Sequence, residues 1–279
     1  MAAITASDVN KLRQMTGAGM MDCKKALTEA DGDFEKAIDI LRKQGQKVAA
    51  KRADNATSEG LVLISVSADG TNGKLVALAC ETEPVSKVAD FQNLAQVILE
   101  AAVANSPADK DGLLALTLVD GRSVQEAITE LIGKIGEKLD IIGYADVTGE
   151  QVISYVHSNN KLGVLVSLVS INGADVTEVG KDIAMQIAAM KPVALDRTGV
   201  DASIIEREIE IGKEQARAEG KPEAMLEKIA MGKLERFYKD NTLLAQQFVK
   251  DSSMTIAQLL EKTSKGLTVK EFKRIGIGQ

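Results

Sequence analysis

Two segments of the chain, residues 59–104 and 151–191, carry the same order of sequence patterns. Each begins with two apolar runs rich in β-branched residues on either side of a short polar turn, which is the pattern of a β-hairpin. Each continues through a short loop into a stretch whose apolar residues recur at helical spacing. We interpret the recurrence as a weak internal duplication of an α+β subdomain, in which a helix layer covers the apolar face of each sheet. The loop at 82–85 then corresponds roughly to residues 171–174.

The rest of the chain is organised around this duplicated core. Residues 1–53 contain three short helical patterns, the third expected to end at Gly45, which together predict a small three-helix bundle. The basic residues 46–57 are either a linker or a solvated extension of the third helix. Two charged helical patterns flank the turn Gly220-Lys221-Pro222 and predict a projecting antiparallel helical hairpin. The predicted fold class is therefore α+β. The predicted domains are the bundle with its linker at 1–53, a core N-subdomain at 54–140, a core C-subdomain at 141–200 and 240–279, and the hairpin at 201–239.

Composition argues against several classes of function. Aromatic residues make up 3% of the 279 residues, tryptophan is absent and the net charge is −6. Single-stranded nucleic acid is bound by stacking aromatics and the phosphate backbone by a basic surface, so we expect no direct nucleic-acid partner. No apolar run reaches the roughly 20 residues that cross a membrane, and the N-terminus lacks the basic and apolar regions of a signal peptide. We therefore expect a cytoplasmic protein without a membrane partner.

The common motifs of catalysis are missing from the sequence. It contains neither a phosphate-binding P-loop nor the glycine fingerprint of dinucleotide sites. The two cysteines, Cys23 and Cys80, and the one histidine, His157, are too few for a zinc site, which takes about four such ligands. Cys80 and His157 can be paired as nucleophile and base of a hydrolase, but no third residue is apparent to orient them. We predict no catalytic residue, no metal site and no cofactor, and free buried thiols at both cysteines.

Two adjacent methionines begin the second helical pattern. Met20, Cys23 and Leu27 form one apolar stripe, whereas Met21 points about 100° away from Met20 and cannot share it. Either one methionine faces outward, where its flexible thioether offers adaptable contact surface, or the bundle has a wide apolar face. The residues alone leave both interpretations open.

The segment around these methionines resembles a known family. The resemblance is to the N-terminal signature of the bacterial translation elongation factor Ts family, and it is carried by TGAGMMDCKKALTEADGD at 16–33 and AIDILRKQG at 37–45. It continues through HSNNKLGVLV at 157–166, DIAMQIAAMKP at 182–192 and QQFVKDSSMTIAQLL at 246–260, so it covers essentially the whole chain.

This resemblance implies a guanine-nucleotide exchange factor rather than an enzyme. The implied partner is elongation factor Tu in its GDP-bound state, the GTPase that carries aminoacyl-tRNA to the ribosome. The implied fold has an N-terminal three-helix module like a ubiquitin-associated domain, a core of two related α+β subdomains and a protruding coiled-coil hairpin. Whether the hairpin also forms a homodimer is left open by the sequence.

The resemblance also implies which residues contact the partner. In the family, the N-terminal module grips the nucleotide domain of Tu, and Arg13, Met20 and Met21 match that contact surface. This match favours the outward-facing interpretation of the methionine pair. The second subdomain reaches another domain of Tu, and His157 lies in the matching hairpin.

A loop of sequence Thr-Asp-Phe-Val carries the exchange step in the family, because it pushes in near the Mg²⁺ bound to Tu and loosens GDP. It falls at Thr82, Glu83, Pro84 and Val85 here, so two of its four positions differ. Glu83 is one methylene longer than Asp, and Pro84 lacks the aromatic ring of Phe. Phe91 is not expected to replace that ring, because it lies on the core stripe of the following helix. With these two changes, the resemblance implies exchange activity with a weaker or altered wedge.

A second interpretation keeps the fold without the activity. Modules that resemble ubiquitin-associated domains also act as adaptors or chaperone-type binding modules, and such a protein would bind a partner without accelerating nucleotide release.

Overall fold

The computed structural model describes residues 4–278 of the chain. Its N-terminal part is the predicted three-helix bundle, which packs around buried Leu12 and Leu27. Local sequence sets the ends of the first helix, because Thr5 and Asp8 form a capping box at its start and Gly17 ends it with a φ of 66°. The helices are α1 (Ala6–Thr16), α2 (Met20–Glu29) and α3 (Phe34–Lys51).

The first sheet contains the predicted hairpin and a third strand that the sequence analysis missed. Its antiparallel strands are β1 (Glu59–Val66), β2 (Asn72–Cys80) and β3 (Leu139–Thr148), in that order. Helices between β2 and β3 cover one face of this sheet around a buried cluster that includes Phe91, Ile98 and Ile128. They are α4 (Glu83–Ser86), α5 (Ala89–Asn105), α6 (Lys110–Ala115) and α7 (Val124–Ile135).

The second half of the chain repeats this plan and adds the helical hairpin. Its elements are β4 (Gln151–Val156), β5 (Leu162–Val169), α8 (Thr177–Met190), α9 (Ala202–Ala218), α10 (Glu223–Asn241), β6 (Gln247–Phe248), β7 (Asp251–Thr255), α11 (Ile256–Thr263) and β8 (Thr268–Gly276). Strands β4, β5 and β8 form an antiparallel sheet in that order. Helices α8 and α11 cover one of its faces around Ile183, Ile187 and Leu260. The pair α9 and α10 is the predicted hairpin, with Gly220 at a φ of 73° in its turn.

The two three-stranded sheets pack face to face. Leu75, Ala77 and Ala79 on one face of β2 meet Val152 and Leu165 of the second sheet in a shared buried cluster. Strands β2 and β5 are therefore buried on both faces, which explains why each has a nearly continuous apolar sequence instead of an alternating one. The layers run helices, sheet, sheet, helices, so each sheet has two apolar faces where the sequence analysis assigned one.

The turn of each hairpin binds the other sheet in the same way. The Val62 N–H in β1 donates to the Asn160 carbonyl at 2.7 Å, and the Val152 N–H in β4 donates to the Gly70 carbonyl at 2.7 Å. The two donors are 90 positions apart in the sequence, and so are the two acceptors. This reciprocal exchange supports the internal duplication and relates its two copies by a constant offset.

Two glycines with the same offset allow the sheets to approach each other. A Cβ at Gly163 in β5 would lie 2.6 Å from Cγ1 of Val62, and a Cβ at Gly73 in β2 would lie 2.7 Å from Cγ1 of Val152. Both valines are buried and cannot move aside. The absence of a side chain at these two positions is therefore a condition for the sheet-on-sheet contact.

Gly45 does not end α3, so that prediction is wrong, and the alternative that the helix extends past Gly45 is confirmed. The helix continues to Lys51 because Gly45 is buried against Gly133 of α7, and a Cβ at Gly133 would lie 2.8 Å from Cα of Gly45. The missing side chains let the two helices cross closely, and this crossing joins the N-terminal bundle to the core.

We expect Gly163→Ala to lower the free energy of unfolding by about 1–3 kcal/mol, because the added methyl group overpacks the contact with Val62. Urea unfolding measures the change. Gly232→Ala is the matched control, since Gly232 lies in α10 and, apart from its chain neighbours and the backbone of its own helix, no atom of the described residues comes within 4 Å of the place that its Cβ would take. Alanine there should stabilise the helix by about 0.5–1 kcal/mol. Equal stability of Gly163→Ala and the wild type would contradict the packing of the two sheets.

Candidate functional site

The N-terminal bundle presents a methionine-rich surface. Met15, Met20 and Met21 are 57%, 46% and 64% exposed, and Arg13 on α1 is exposed as well. The prediction that Met20 shares the buried stripe of α2 is wrong, because Met20 is the first residue of that helix and the buried residues begin at Cys23. Both methionines of the pair face outward. Unbranched thioether side chains adapt their shape to a partner, so this surface suits protein binding.

The loop at 82–85 is held at both ends and exposed in the middle. The Thr82 backbone N–H and hydroxyl donate to the two carboxylate oxygens of Glu137 at 3.1 and 2.7 Å. Val85 is buried in the core cluster under the first sheet. Glu83 and Pro84 lie between these anchors and are exposed. Pro84 lies in the first turn of α4, where its missing N–H and fixed φ are tolerated, so the short helix holds it in one orientation.

The charge of Glu83 is paired on the surface. Its carboxylate lies 2.7 Å from Nζ of Lys87, with both side chains more than half exposed. The hydrogen bond and charge of Lys87 lower the pKa of Glu83, with a smaller contribution from Lys161. An ion pair this exposed contributes little to stability, so a partner can displace Lys87 at small cost.

A carboxylate that the sequence analysis did not single out lies directly before the loop. Glu81 accepts hydrogen bonds from Nη1 of Arg52 at 2.9 and 3.0 Å, from Nδ2 of Asn55 at 2.9 Å and from the backbone N–H of Lys138 at 2.6 Å. Partial burial raises the pKa of Glu81, but these donors outweigh it and leave the pKa below its ordinary value. The donors lie 26 to 57 positions away, so no local pattern marks this cluster.

His157 lies at the same end of the first sheet as the loop. It is exposed, and its Nδ1 lies 2.8 Å from Oη of Tyr155. The turn that it begins also carries Lys161, which forms an ion pair with Glu59 of β1. Glu59 pairs with Cys80 at the end of β2, where the loop at 82–85 departs. The structure therefore brings the His157 turn and the loop together.

The contact between the N-terminal bundle and this region runs through α7. The side chain of Lys134 lies over Gly17, in the turn between α1 and α2, where a Cβ would meet it. The Lys134 ammonium also lies 2.6 Å from the Asp90 carboxylate at the start of α5. Asp90 follows Val85 by five positions. These contacts connect the turn beside Met20 with the segment that follows the loop.

Cys80 has none of the properties of a nucleophile. Burial, with a smaller contribution from the charge of Glu137, raises the pKa of its thiol to about 12. Its Sγ lies 3.2 Å from the Thr82 carbonyl, whereas the His157 ring is held by Tyr155. The hydrolase interpretation needs a reactive thiolate, and a buried thiol with so high a pKa does not provide one.

The comparisons with known proteins agree on one family. A family model described as "Elongation factor TS" matches residues 81–279, more than half of the chain. Elongation factor Ts of Cytophaga hutchinsonii is 68% identical over 99% of this chain and 100% of the relative. The proteins of the same name from Amoebophilus asiaticus and Porphyromonas gingivalis are 55% and 51% identical, each over at least 97% of both chains.

These matches define a translation elongation factor. The chain belongs to the elongation factor Ts family. Within residues 4–278, no helix is both long and apolar enough to cross a membrane.

We expect both thiols to resist modification in the folded protein at pH 8, because Cys23 and Cys80 are fully buried and a thiolate is the reactive form. Ellman's reagent should titrate two thiols only after denaturant is added. Rapid reaction of one thiol in the folded protein, together with hydrolysis of an ester substrate, would revive the hydrolase interpretation.

Proposed function

We propose that the chain is the guanine-nucleotide exchange factor of elongation factor Tu. In this proposal it binds Tu in the GDP-bound state and promotes GDP release by disturbing the Mg²⁺ and phosphate site, without covalent catalysis. The observation that carries the proposal is the exposed turn of Glu83 and Pro84, fixed at both ends and joined by contacts to the methionine-rich surface. Membership of the elongation factor Ts family supports the choice of partner.

The physical basis of exchange is a competition between two ligands. In GTPases, Mg²⁺ and the phosphates hold the switch loops in place. A protein that binds more tightly to the Mg²⁺-free state shifts Tu toward that state and so weakens GDP. Linkage requires that GDP weaken the binding of this protein by the same factor.

The loop at 82–85 is the proposed wedge. Pro84 replaces the aromatic residue of the family pattern with a smaller but conformationally fixed ring, so less ordering entropy is lost when it enters a partner. Glu83 carries a negative charge that Lys87 balances in the free protein. On binding near the Mg²⁺ site, this carboxylate would interact with the metal environment, while Val85 keeps the loop attached to the core.

The remaining contacts are proposed to supply affinity. Arg13, Met20 and Met21 would bind the nucleotide domain of Tu, and His157 would contact a second domain of the partner. We propose that the protein acts in the cytoplasm and does not contact nucleic acid directly. The assigned units are the module at 1–53, the core subdomains at 54–140 and at 141–200 with 240–279, and the coiled-coil hairpin at 201–239, which offers a surface for a homodimer.

Size-exclusion chromatography of the chain mixed with the Tu of the same organism tests the partnership. We expect a stable complex without nucleotide that dissociates when GDP is added in excess, because the two ligands oppose each other. A complex that forms equally well with GDP present would favour the adaptor interpretation, and no complex under either condition would contradict both.

Variants should distinguish the role of the loop at 82–85 in GDP release from the role of the N-terminal residues in binding. The rate of GDP release is measured at increasing concentrations of the chain. Arg13→Ala is expected to raise the half-saturating concentration about tenfold, which is the typical loss of affinity when one moderate interface contact is removed. The double variant Glu83→Ala, Pro84→Ala is expected to lower the maximal rate instead, because its altered groups act after docking.

Met190→Ala is the matched control for these variants. Met190 is 44% exposed at the end of α8 and belongs to neither surface, so both parameters should keep their wild-type values. If the loop variant keeps the wild-type maximal rate while Arg13→Ala abolishes acceleration, the loop takes no part in the mechanism.

A further inference from the structure

Three segments of the chain meet at the carboxylate of Glu81. Arg52 and Asn55 come from the segment that follows α3, Lys138 directly precedes β3, and Glu81 itself directly follows β2. The Lys138 ammonium completes the junction, because it donates to the carbonyls of Ala53 and Asn55 at 2.6 and 3.0 Å. The Glu81 side chain is only 16% exposed, so its hydrogen bonds are shielded from water.

One arm of this junction reaches the N-terminal bundle along a single helix. Ala37 and Leu41 in the first half of α3 belong to the core of the bundle. Val48 and Ala49 in the second half pack against the core cluster of the first sheet. Arg52 is the C-cap residue of the same helix and holds Glu81 with Nη1. An α-helix is stiff over this length, so the position of the bundle fixes the position of the Arg52 backbone.

The other arm of the junction is the loop itself. Glu81 is followed directly by Thr82, and Thr82 is bound by Glu137, the neighbour of Lys138. The exposed turn of Glu83 and Pro84 therefore begins just after a carboxylate that the α3 arm holds in place. The ordinary alternative is that the Arg52–Glu81 pair only stabilises the fold.

We infer that Glu81 is a positioning residue, which fixes the loop at 82–85 relative to the N-terminal module. When the module docks on the partner, Glu83 and Pro84 are thereby placed against the partner's nucleotide site. The inference rests on the proposed exchange function and deepens it. Glu81 does not touch the partner; it acts through the loop. Several contacts converge on one group here, and a misplacement of about 1 Å at a reacting centre can lower a rate about a hundredfold.

Saturation kinetics of GDP release from the Tu of the same organism tests this role. For Glu81→Ala we expect the maximal rate to fall about tenfold or more while the half-saturating concentration stays within about twofold, because the docking surface is intact. Arg52→Ala should have the same effect, and Arg52→Lys should restore part of the rate by keeping one charged donor. The double variant Glu81→Ala, Arg52→Ala should have the same maximal rate of GDP release as Glu81→Ala alone, since both changes break the same contact.

Two controls separate positioning from stability. Arg197→Ala removes another arginine–glutamate pair, between Arg197 and Glu235 at the base of the hairpin, and should change neither kinetic parameter. Urea unfolding shows whether each variant is folded at the assay temperature. If Glu81→Ala is not folded, Arg52→Ala carries the test, because its side chain is 38% exposed and its loss leaves two other donors on Glu81.

The outcomes distinguish this inference from the proposed function. A wild-type chain that does not accelerate GDP release overturns both. If the wild-type chain accelerates GDP release and the variants Glu81→Ala and Arg52→Ala reach the same maximal rate as the wild type, only the positioning role is overturned. A rise in half-saturating concentration at an unchanged maximal rate also overturns it, since Glu81 would then serve binding.

Discussion

The packing of one sheet on the other is the contact on which the rest of this molecule depends. Gly73 and Gly163 leave room for the valines of the opposite sheet, and each hairpin turn accepts a backbone hydrogen bond from the other sheet. Burial of β2 and β5 on both faces follows from this arrangement. Because the helices lie on the outer faces, the strand ends remain free to carry loops.

A strand buried on both faces is a stiff support for the loop at 82–85, which we propose acts on another protein. Strand β2 ends at Cys80, and the loop begins two residues later with Thr82 tied to Glu137. The crossing of α3 and α7 at Gly45 and Gly133 attaches the N-terminal bundle to the same region. The exposed methionines and the exposed loop are therefore attached to the same packed framework.

The sequence predicted those parts of the structure whose signals are local. Turn residues flanked by β-rich runs identified both hairpins, and the adjacent methionines indicated an outward-facing side chain. It missed features that depend on distant partners. Strand β3 pairs with β2 although helices α4 to α7 separate the two in the chain, and Gly45 ends no helix because a glycine of another helix lies against it. The donors to Glu81 are equally distant, and charged residues without a period look like solvated surface until the chain is folded.

We propose that these surfaces together release GDP from a GTPase. Stopped-flow fluorescence with a labelled GDP analogue bound to the Tu of the same organism measures it directly, at fixed Mg²⁺ and with unlabelled GDP as a trap. We expect the release rate to rise with the concentration of the wild-type chain and to reach a plateau well above the spontaneous rate. A release rate that stays at the spontaneous value at every concentration, although the two proteins bind, would contradict it.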